Sequence, residues 1–366
     1  MRRYSRHLLI PEVGLAGQRR LSQARVLVIG AGGLGSPVLQ YLTAAGVGRI
    51  GIVDDDTVDV TNLQRQVVYT MADLGRPKAQ AAVERLAALN PHVAFDAYDC
   101  RLTAANAREL VRAYDVIVDG TDTFGARYAI SDACRLEGKP DVYASIFRFD
   151  GQVSVFAPDG PCYRCLFPEP PPPGSVPTCA EGGVLGVLPG LVGTWQAAEA
   201  LKLVLNVGTP LVGRLLLVDA LEARVREVAI AIDPACPLHG EQLATFEMRD
   251  ERPDDAAHPP RVVEELAADR LDAYLASVPG ARVLDVREAH ETLLGAAPQS
   301  VHIPASALEA RLGDLDSAVP YVVACRLGVR SQWAAARLYD AGFRRLRHLE
   351  GGLLRYAVVR SDFDAF

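Results

Sequence analysis

The sequence contains no apolar run long enough to cross a membrane and no basic stripe that would favour nucleic acid. Its most apolar run, residues 184–195, is shorter than the roughly 20 residues that a spanning helix needs, and it continues into Gln196, Glu199 and Lys202. We expect a buried or interface helix there and no membrane role. The formal net charge of −7 also argues against non-specific binding of nucleic acid.

We also expect no secretory signal and no disulfide framework, for which an even cysteine count would be typical. The start of the sequence, MRRYSRHLL, has no long apolar core, and its seven cysteines are spread over 366 residues. We therefore expect a cytoplasmic protein with reduced cysteines, in which Cys100 and Cys134 are structural. The apolar fraction of 49% is ordinary for a globular protein of two or three domains.

Alternating strand and helix patterns predict a doubly wound parallel sheet in the first 140 residues. The predicted strands are residues 25–29, 49–53, around 95 and 115–119. The predicted helices are 36–46, 77–89 and 103–113, and Ser36 is the predicted N-cap residue of the first. After Pro140 the pattern changes to antiparallel pairs, with Asp150 and Gly151 as a two-residue hairpin turn. The predicted fold class is therefore α/β, a Rossmann-like mixed sheet with a parallel half and an antiparallel half.

Composition divides the chain into three parts. Residues 1–240 carry the mixed sheet, and residues 241–260 form a polar, proline-bearing segment that we assign to a linker. Residues 261–366 contain short apolar strands with helical segments between them, which predicts a second, smaller α/β domain.

A glycine pattern lies between the first strand and the first helix. Gly30, Gly32 and Gly35 fit G-x-G-x-x-G, and Asp54 closes the second strand, where an acid that binds ribose belongs. The pattern predicts nucleotide binding. The alternative is that the glycines only allow close packing of the strand against the helix.

The residues around this loop favour ATP over NAD. Asn62, Arg65 and Gln66 form a polar stretch, and Lys78 lies in the first turn of a helix. The helix dipole disfavours a lysine at that position unless an anion lies between them. Two cations beyond the glycine loop therefore indicate a triphosphate.

Two aspartates follow at the end of a buried parallel strand, in the motif VDGTDTFGAR. Asp122 is suited to hold Mg²⁺ on the phosphates, because ligands bind at this end of the strands. For Asp119 we expect the simpler role of a helix cap.

These motifs occur in order with RYSRHLL, GAGGLGS, DDDTVDVTNLQRQ and GRPKA, and together they resemble the MoeB/ThiF family of ubiquitin-activating-type adenylating enzymes. The resemblance covers residues 1–240. It implies that ATP and Mg²⁺ are used to adenylate the C-terminal Gly-Gly carboxylate of a small ubiquitin-like sulfur carrier protein. It also implies a homodimer.

The resemblance assigns roles to the matching residues. Asp54 binds the ribose, and Lys78 and Arg65 contact the phosphates. Asp122 binds magnesium and is essential for adenylation, and Arg6 reaches the nucleotide of the partner subunit. The other predicted pocket residues are Gly30, Gly32, Gly33, Gly35, Asn62 and Gln66. Cations and metal are needed because a carboxylate attacks a phosphate, which brings two anions together.

A metal site is predicted from two short cysteine motifs. Cys162 and Cys165 form C-x-x-C, and Cys236 and His239 form C-x-x-H, which together supply a tetrahedral Cys3His set for structural Zn²⁺. In the family that this chain resembles, the second pair is usually also C-x-x-C. The alternative is two free thiols and an unrelated loop cysteine.

Cys179 lies in the proline-rich segment FPEPPPPGSVPTCAEGG. The resemblance matches it to the cysteine of sulfur-transferring members, where it attacks the acyl adenylate or forms an acyl persulfide linkage with the carrier. An extended loop can bring a thiolate to the adenylate after pyrophosphate leaves.

Cys325 ends the apolar strand YVVAC and precedes Arg326, Gly328 and Arg330 at the start of a helix. A cysteine beside backbone N–H groups, arginines and a helix N-terminus should hold an anionic persulfide. With VLDVREAHE, HIP, CRLGVRS and LEGGLLRY, residues 261–366 resemble a rhodanese domain. Asp285 and Arg287 are then buried stabilising partners.

The combined prediction is an enzyme that adenylates a Gly-Gly carrier and uses the Cys325 persulfide, with Cys179, to form a C-terminal thiocarboxylate. The sulfur donor is a persulfide or thiosulfate. The alternatives are an NAD-dependent oxidoreductase with a redox-sensing domain and a non-catalytic scaffold for a ubiquitin-like partner. The sequence leaves the carrier and its pathway open.

Overall fold

The computed structural model of the chain describes residues 2–170, 183–251 and 263–360, except 290, 293, 294 and 296. These residues form two compact units. The first comprises the described residues up to 251, and the second comprises those from 263 onwards. No helix within these ranges is long and apolar enough to cross a membrane.

An eight-stranded mixed sheet forms the centre of the first unit. Its strands are β1 (Arg25–Ile29), β2 (Arg49–Val53), β3 (Ala94–Tyr98), β4 (Val116–Asp119), β5 (Asp141–Phe147), β6 (Asp150–Phe156), β7 (Arg214–Asp219) and β8 (Arg224–Ala229). Their order across the sheet is β3-β2-β1-β4-β5-β6-β7-β8. Strands β1 to β5 pair in parallel, and β5 to β8 pair antiparallel. The predicted fold class is confirmed.

Helices cover both faces of this sheet. They are α1 (Ser5–Leu8), α2 (Gly14–Gln23), α3 (Gly35–Ala45), α4 (Lys78–Leu89), α5 (Ala104–Arg112), α6 (Phe124–Glu137), α7 (Tyr163–Leu166) and α8 (Leu188–Leu205). Val26 and Val28 of β1 belong to the core that includes α3 and α8, whereas Leu27 and Ile29 belong to the core that includes α5 and α6. Because both faces are buried, the central strands are continuously apolar.

The antiparallel hairpin differs from the prediction. Phe147 pairs with Asp150, so Arg148 and Phe149 form the turn, and Arg148 has a positive φ of 53°. Gly151 lies inside β6 instead, where an added Cβ would lie 2.5 Å from a methyl carbon of Val192. The glycine therefore allows close approach of α8 to the strand and does not make the turn.

The start of α3 also differs from the prediction. The helix begins at Gly35, and Ser36 does not cap it but donates its hydroxyl to the carbonyl of Gly32 at 2.8 Å. The predicted end of the helix at Gly46 is confirmed, with a left-handed φ of 81°.

The second unit is built on a five-stranded parallel sheet in the order β11-β10-β12-β13-β9. Its strands are β9 (Glu264–Leu266), β10 (Arg282–Asp285), β11 (Ser300–His302), β12 (Tyr321–Ala324) and β13 (Leu346–Leu349). Its helices are α9 (Leu271–Ser277), α10 (Val329–Asp340) and α11 (Gly352–Val359). The predicted smaller α/β domain is confirmed as a fold.

Candidate functional site

The glycine loop between β1 and α3 is held by close backbone contacts. A Cβ on Gly30, whose φ is 91°, would lie 2.7 Å from the carbonyl oxygen of Gly120. A Cβ on Gly35 would lie 1.9 Å from the carbonyl oxygen of Gly30. Only glycine fits at these two positions. The loop therefore meets the chain that follows β4, at the edge where doubly wound sheets bind ligands.

Asp54 is tied to this loop. One carboxylate oxygen accepts the backbone N–H of Ala31 at 2.8 Å, and the other accepts that of Asp56 at 3.0 Å. Burial raises the pKa of Asp54, while Lys78 and the two N–H groups favour the ionised form. The predicted ribose-binding acid thus lies directly beside the glycine loop.

Lys78 is the first residue of α4 and is almost fully buried. Its Nζ donates to Asp56 at 2.7 Å, and the Asp56 side chain is 72% exposed. Tyr69 links the same parts of the chain, because its hydroxyl lies 3.0 Å from the carbonyl of Ala31 and 3.2 Å from that of Lys78. The sequence prediction missed Asp56 and Tyr69. An exposed carboxylate on the lysine marks the place that a phosphate oxygen could take.

The predicted polar stretch lies against the glycine loop as well. A Cβ on Gly32 would lie 3.6 Å from the amide nitrogen of Gln66, and one on Gly33 would lie 3.6 Å from the Cδ of Arg65. Asn62 uses its amide oxygen to cap the short turn that precedes them. The first unit thus brings together its glycines, both predicted cations and Asp54.

The two aspartates after β4 have different settings. Asp119 is fully buried, and one carboxylate oxygen accepts the N–H and the hydroxyl of Thr121 at 2.9 and 2.6 Å. The helix cap predicted for it is wrong, since Thr123 is the N-cap residue of α6. Asp122 is exposed, two residues beyond the glycine contact at Gly120.

Asp119 and Asp141 are both buried acids, and they predict an effect of pH on the free energy of unfolding. Burial raises the pKa of Asp119 to about 6, and burial together with Asp119 raises the pKa of Asp141 well above its usual range. The folded state therefore binds protons more tightly than the unfolded state. The stability contributed by protonated Asp119 is complete below the ordinary value of 3.8 and is lost as pH rises through about 6. The stability contributed by protonated Asp141 is lost in the same direction, as pH rises through its own raised pKa.

Asp141→Asn replaces a buried acid with an amide that cannot ionise. The difference in free energy of unfolding between this variant and the parent should shift in favour of the variant as pH rises from about 5 to about 8, as measured by urea unfolding. Asp99→Asn, at an exposed acid, is the control and should show no such difference. An equal response of both variants to pH would contradict the buried-pair account.

The four predicted metal ligands come together at the opposite end of the first unit. The Sγ of Cys162 lies 3.7 Å from that of Cys165 and 3.5 Å from that of Cys236, and the Nε2 of His239 lies 3.2 Å from the Cys165 Sγ. All four ligand atoms lie within 4.8 Å of one another. Four-coordinate zinc with bonds of about 2.3 Å to sulfur separates its sulfurs by about 3.8 Å, so the residues fit such an ion.

Arg135 lies beside this cluster. Its guanidinium donates to the carbonyl of Leu238 at 2.9 Å and approaches the Nδ1 of His239 at 2.9 Å. Burial and this cation lower the pKa of His239, which favours the neutral imidazole that binds metals.

In the second unit, Cys325 is fully buried at the end of β12. Its Sγ accepts the backbone N–H of Gly328 at 3.1 Å and lies 3.7 Å from the hydroxyl of Ser331. The loop is closed from α11, because the N–H groups of Leu353 and Leu354 donate to the carbonyls of Cys325 and Arg326 at 2.8 and 2.9 Å. The Cys325 Sγ therefore lies in a loop that offers it a backbone N–H donor.

Two ion pairs brace this unit. Asp285 and Arg287 are almost fully buried and pair at 2.7 Å, as the sequence predicts. Arg330, predicted beside the cysteine, holds Glu291 in two bonds of 2.6 and 2.8 Å. Its charge is therefore matched by a carboxylate that the sequence prediction missed.

The chain thus combines a doubly wound sheet that carries a glycine loop with a parallel-sheet unit that carries a cysteine loop. This combination is that of an enzyme with two catalytic parts. The model of the ThiF family matches residues 4–238, and that of the rhodanese-like domain matches residues 266–357. The chain belongs to the ThiF family and carries a C-terminal rhodanese-like domain. The predicted resemblance is confirmed, and the family implies ATP use.

Relatives of similar length have the same two parts in their names. The probable adenylyltransferase/sulfurtransferase MoeZ of Mycobacterium tuberculosis is 46% identical over 97% of this chain and 92% of its own. The adenylyltransferase and sulfurtransferase MOCS3-1 of Zea mays is 41% identical over 100% and 83%. The sulfur carrier protein adenylyltransferase of Thermus thermophilus is 56% identical over 68% and 94%. The chain is thus an enzyme of the adenylyltransferase and sulfurtransferase type, which disfavours the NAD and scaffold alternatives.

Solved structures support the fold of the first unit. E. coli MccB crystallised with MccA has a TM-score of 0.57 at 20% identity, over 64% of this chain and 73% of that one. This likeness concerns the fold alone.

Two predicted residues stand apart from these sites. Arg6 is exposed on α1, and its contact with a partner's nucleotide stays a prediction. Cys179 lies outside the described residues.

Proposed function

We propose that this enzyme activates the C-terminal Gly-Gly carboxylate of a small ubiquitin-like sulfur carrier and converts it to a thiocarboxylate. The observation that carries the first half is the convergence of Asp54, Lys78 and Arg65 on the glycine loop. The second half rests on the Cys325 sulfur held by a backbone N–H. Relatives named for a sulfur carrier protein and for SAMP activation support this class of partner.

In the adenylation step, a carboxylate oxygen of the carrier attacks the α-phosphorus of ATP and pyrophosphate leaves. Lys78 turns from Asp56 to a phosphate oxygen, and Arg65 and the partner's Arg6 supply further positive charge. Asp122 is the residue that would hold Mg²⁺, which neutralises phosphate charge when bound. No general base is needed because the attacking carboxylate is already ionised.

In the sulfur step, the terminal sulfur of the Cys325 persulfide attacks the acyl carbon and AMP leaves. The product is an acyl disulfide between the carrier and Cys325. A thiolate then attacks the Cys325 sulfur and releases the thiocarboxylate, which leaves a disulfide for an external thiol to reduce. Cys179 is our candidate for that thiolate. Thiosulfate or a protein persulfide reloads Cys325.

We further propose that Cys162, Cys165, Cys236 and His239 hold a structural Zn²⁺, that the enzyme is a homodimer, and that it acts in the cytoplasm. This metal site is remote from the glycine loop. Zinc there would join the segment that follows β6 to the segment that follows β8. Persulfide and metal-binding thiols need a reducing compartment, which supports the cytoplasmic placement.

Removing the histidine should weaken metal retention. His239→Ala should release zinc to a chelator about tenfold faster or more, whereas His239→Cys, with four thiolates, should retain it at least as well as the parent. The zinc content of each protein is measured over time by mass spectrometry of the metal. Cys100→Ala is the control, and a His239→Ala protein that retained zinc normally would exclude His239 as a ligand.

The central test is the intact mass of candidate carriers that end in Gly-Gly. Each is incubated with the enzyme, Mg²⁺, ATP and thiosulfate, and ATP is omitted from the control. Replacement of one terminal oxygen by sulfur is expected only with ATP. Pyrophosphate release without a mass change would support adenylation and contradict the sulfur step. If every carrier showed neither pyrophosphate release nor a mass change, the proposed function would be contradicted.

A further inference from the structure

Residues 241–251, which we call the strap, lie on the first unit although their composition suggested a linker. Leu243 and Phe246 pack against the apolar cluster around the metal ligands, which contains Leu238. Met248 packs against the core that includes α5 and α6. Apolar side chains thus hold the strap at successive points along its length.

Two acids anchor the end of the strap. Asp250 accepts the backbone N–H of Ala104, the first residue of α5, at 2.7 Å, and so caps that helix from a distant part of the chain. Glu251 accepts a hydrogen bond from Arg164. The same guanidinium holds the buried Asp132 in two bonds of 2.8 Å.

The rings around Arg164 add to this anchor. Its guanidinium lies 4.7 Å from the ring centre of Tyr128 and 5.6 Å from that of Phe246, which itself belongs to the strap. Arg164 stands between Cys162 and Cys165, so the metal motif and the strap share one side chain. The ion pair and the ring contacts of Arg164 together hold the strap on the first unit.

The strap crosses from one edge of the sheet to the other. The metal ligands follow β6 and β8 in the chain. Strand β6 ends at Phe156, which pairs with the first residue of β5, so the metal cluster lies at the amino edge of the parallel strands. Helix α5 follows β3 and so begins at the carboxyl edge, where the glycine loop and Asp122 lie. Asp250 is fixed at that second edge.

We propose that the strap is a positioning element for sulfur transfer, which fixes the last described residue of the first unit, Glu251, near the edge where the carrier is activated. This inference rests on the proposed function. Eleven residues, 252–262, separate the strap from the first described residue of the second unit. Release of the strap would add its own 11 residues, so the number of residues that connect the two units would double. Effective concentration falls with about the −3/2 power of length, so length alone predicts about a threefold loss.

The test uses the full chain with Asp250→Ala and Glu251→Gln combined, with and without Phe246→Ala. Asp250→Asn, which keeps an acceptor for Ala104, and Glu247→Gln, at an exposed strap residue, are matched controls. Three rates are measured: carrier-dependent ATP–pyrophosphate exchange, persulfide loading of Cys325 from thiosulfate, and thiocarboxylate formation in a single turnover. Hydrogen exchange of residues 241–251 reports whether the strap is released.

The expected result is faster exchange in the strap and thiocarboxylate formation slowed about threefold or more, with pyrophosphate exchange and persulfide loading unchanged. Both controls should behave like the parent. Faster strap exchange with an unchanged single-turnover rate would overturn the inference, as would an equal loss in all three rates. Failure of the parent enzyme to form thiocarboxylate would instead contradict the proposed function and this inference with it.

Discussion

Asp122→Asn is expected to reduce carrier-dependent ATP–pyrophosphate exchange on the order of 100- to 1,000-fold while leaving ATP binding nearly unchanged. The side chain is exposed at the carboxyl edge, beyond the contact between Gly30 and Gly120. An amide there keeps the shape but cannot supply the negative charge that binds a cation on the phosphates. Exchange is measured with radiolabelled pyrophosphate, and ATP binding by calorimetry.

Persulfide loading of Cys325 is the internal control for this variant. It depends on the second unit and should be unaffected by Asp122→Asn. Asp119→Asn is a useful comparison, because Asp119 is buried and bonded to Thr121 and should have a much smaller effect on exchange. Exchange at the parental rate in Asp122→Asn would remove this residue from the adenylation site.

Cys325→Ser should abolish thiocarboxylate formation from thiosulfate, because a hydroxyl cannot store sulfane sulfur. Adenylation should continue at the parental rate, so pyrophosphate and the acyl adenylate should still form. The substitution is nearly isosteric at a fully buried position and should not disturb the loop held by Gly328 and α11. The product is followed by intact mass of the carrier.

Cys134→Ser provides the matched control for this second prediction. Cys134 is also buried, on α6 of the first unit, and takes no part in the proposed chemistry. Thiocarboxylate formed by Cys325→Ser at the parental rate would show that sulfur reaches the carrier by another route. Loss of pyrophosphate exchange in the same variant would show that the two halves are not separable.

The parts of the site that could be predicted from sequence are those fixed by local backbone geometry. Gly30 adopts a positive φ of 91° in the turn, Gly35 packs on the carbonyl of Gly30 within the same strand, turn and helix, and Asp54 follows the next strand at the same edge. The four metal ligands were found because two short motifs each pre-position a pair. Such signals need little information about the rest of the chain.

The missed features depend on contacts between distant segments. Tyr69 reaches the glycine loop across 38 residues, and Asp250 reaches Ala104 across 146. Gly151 was misread because close approach of a helix and a hairpin turn both call for glycine, and only the packing of α8 distinguishes them. The polar composition of the strap likewise resembles a free linker, since its few apolar residues are too sparse to form a periodic pattern.

The closure of the Cys325 loop by α11 has a consequence for synthesis. The carbonyls of Cys325 and Arg326 accept the N–H groups of Leu353 and Leu354, which lie about 100 residues beyond the first unit in the chain. Because translation proceeds from the N-terminus, all residues of the first unit are made before these donors, and domains generally fold in that order. A nascent chain can therefore acquire its nucleotide fold before the residues that close its sulfur-carrying loop have been made.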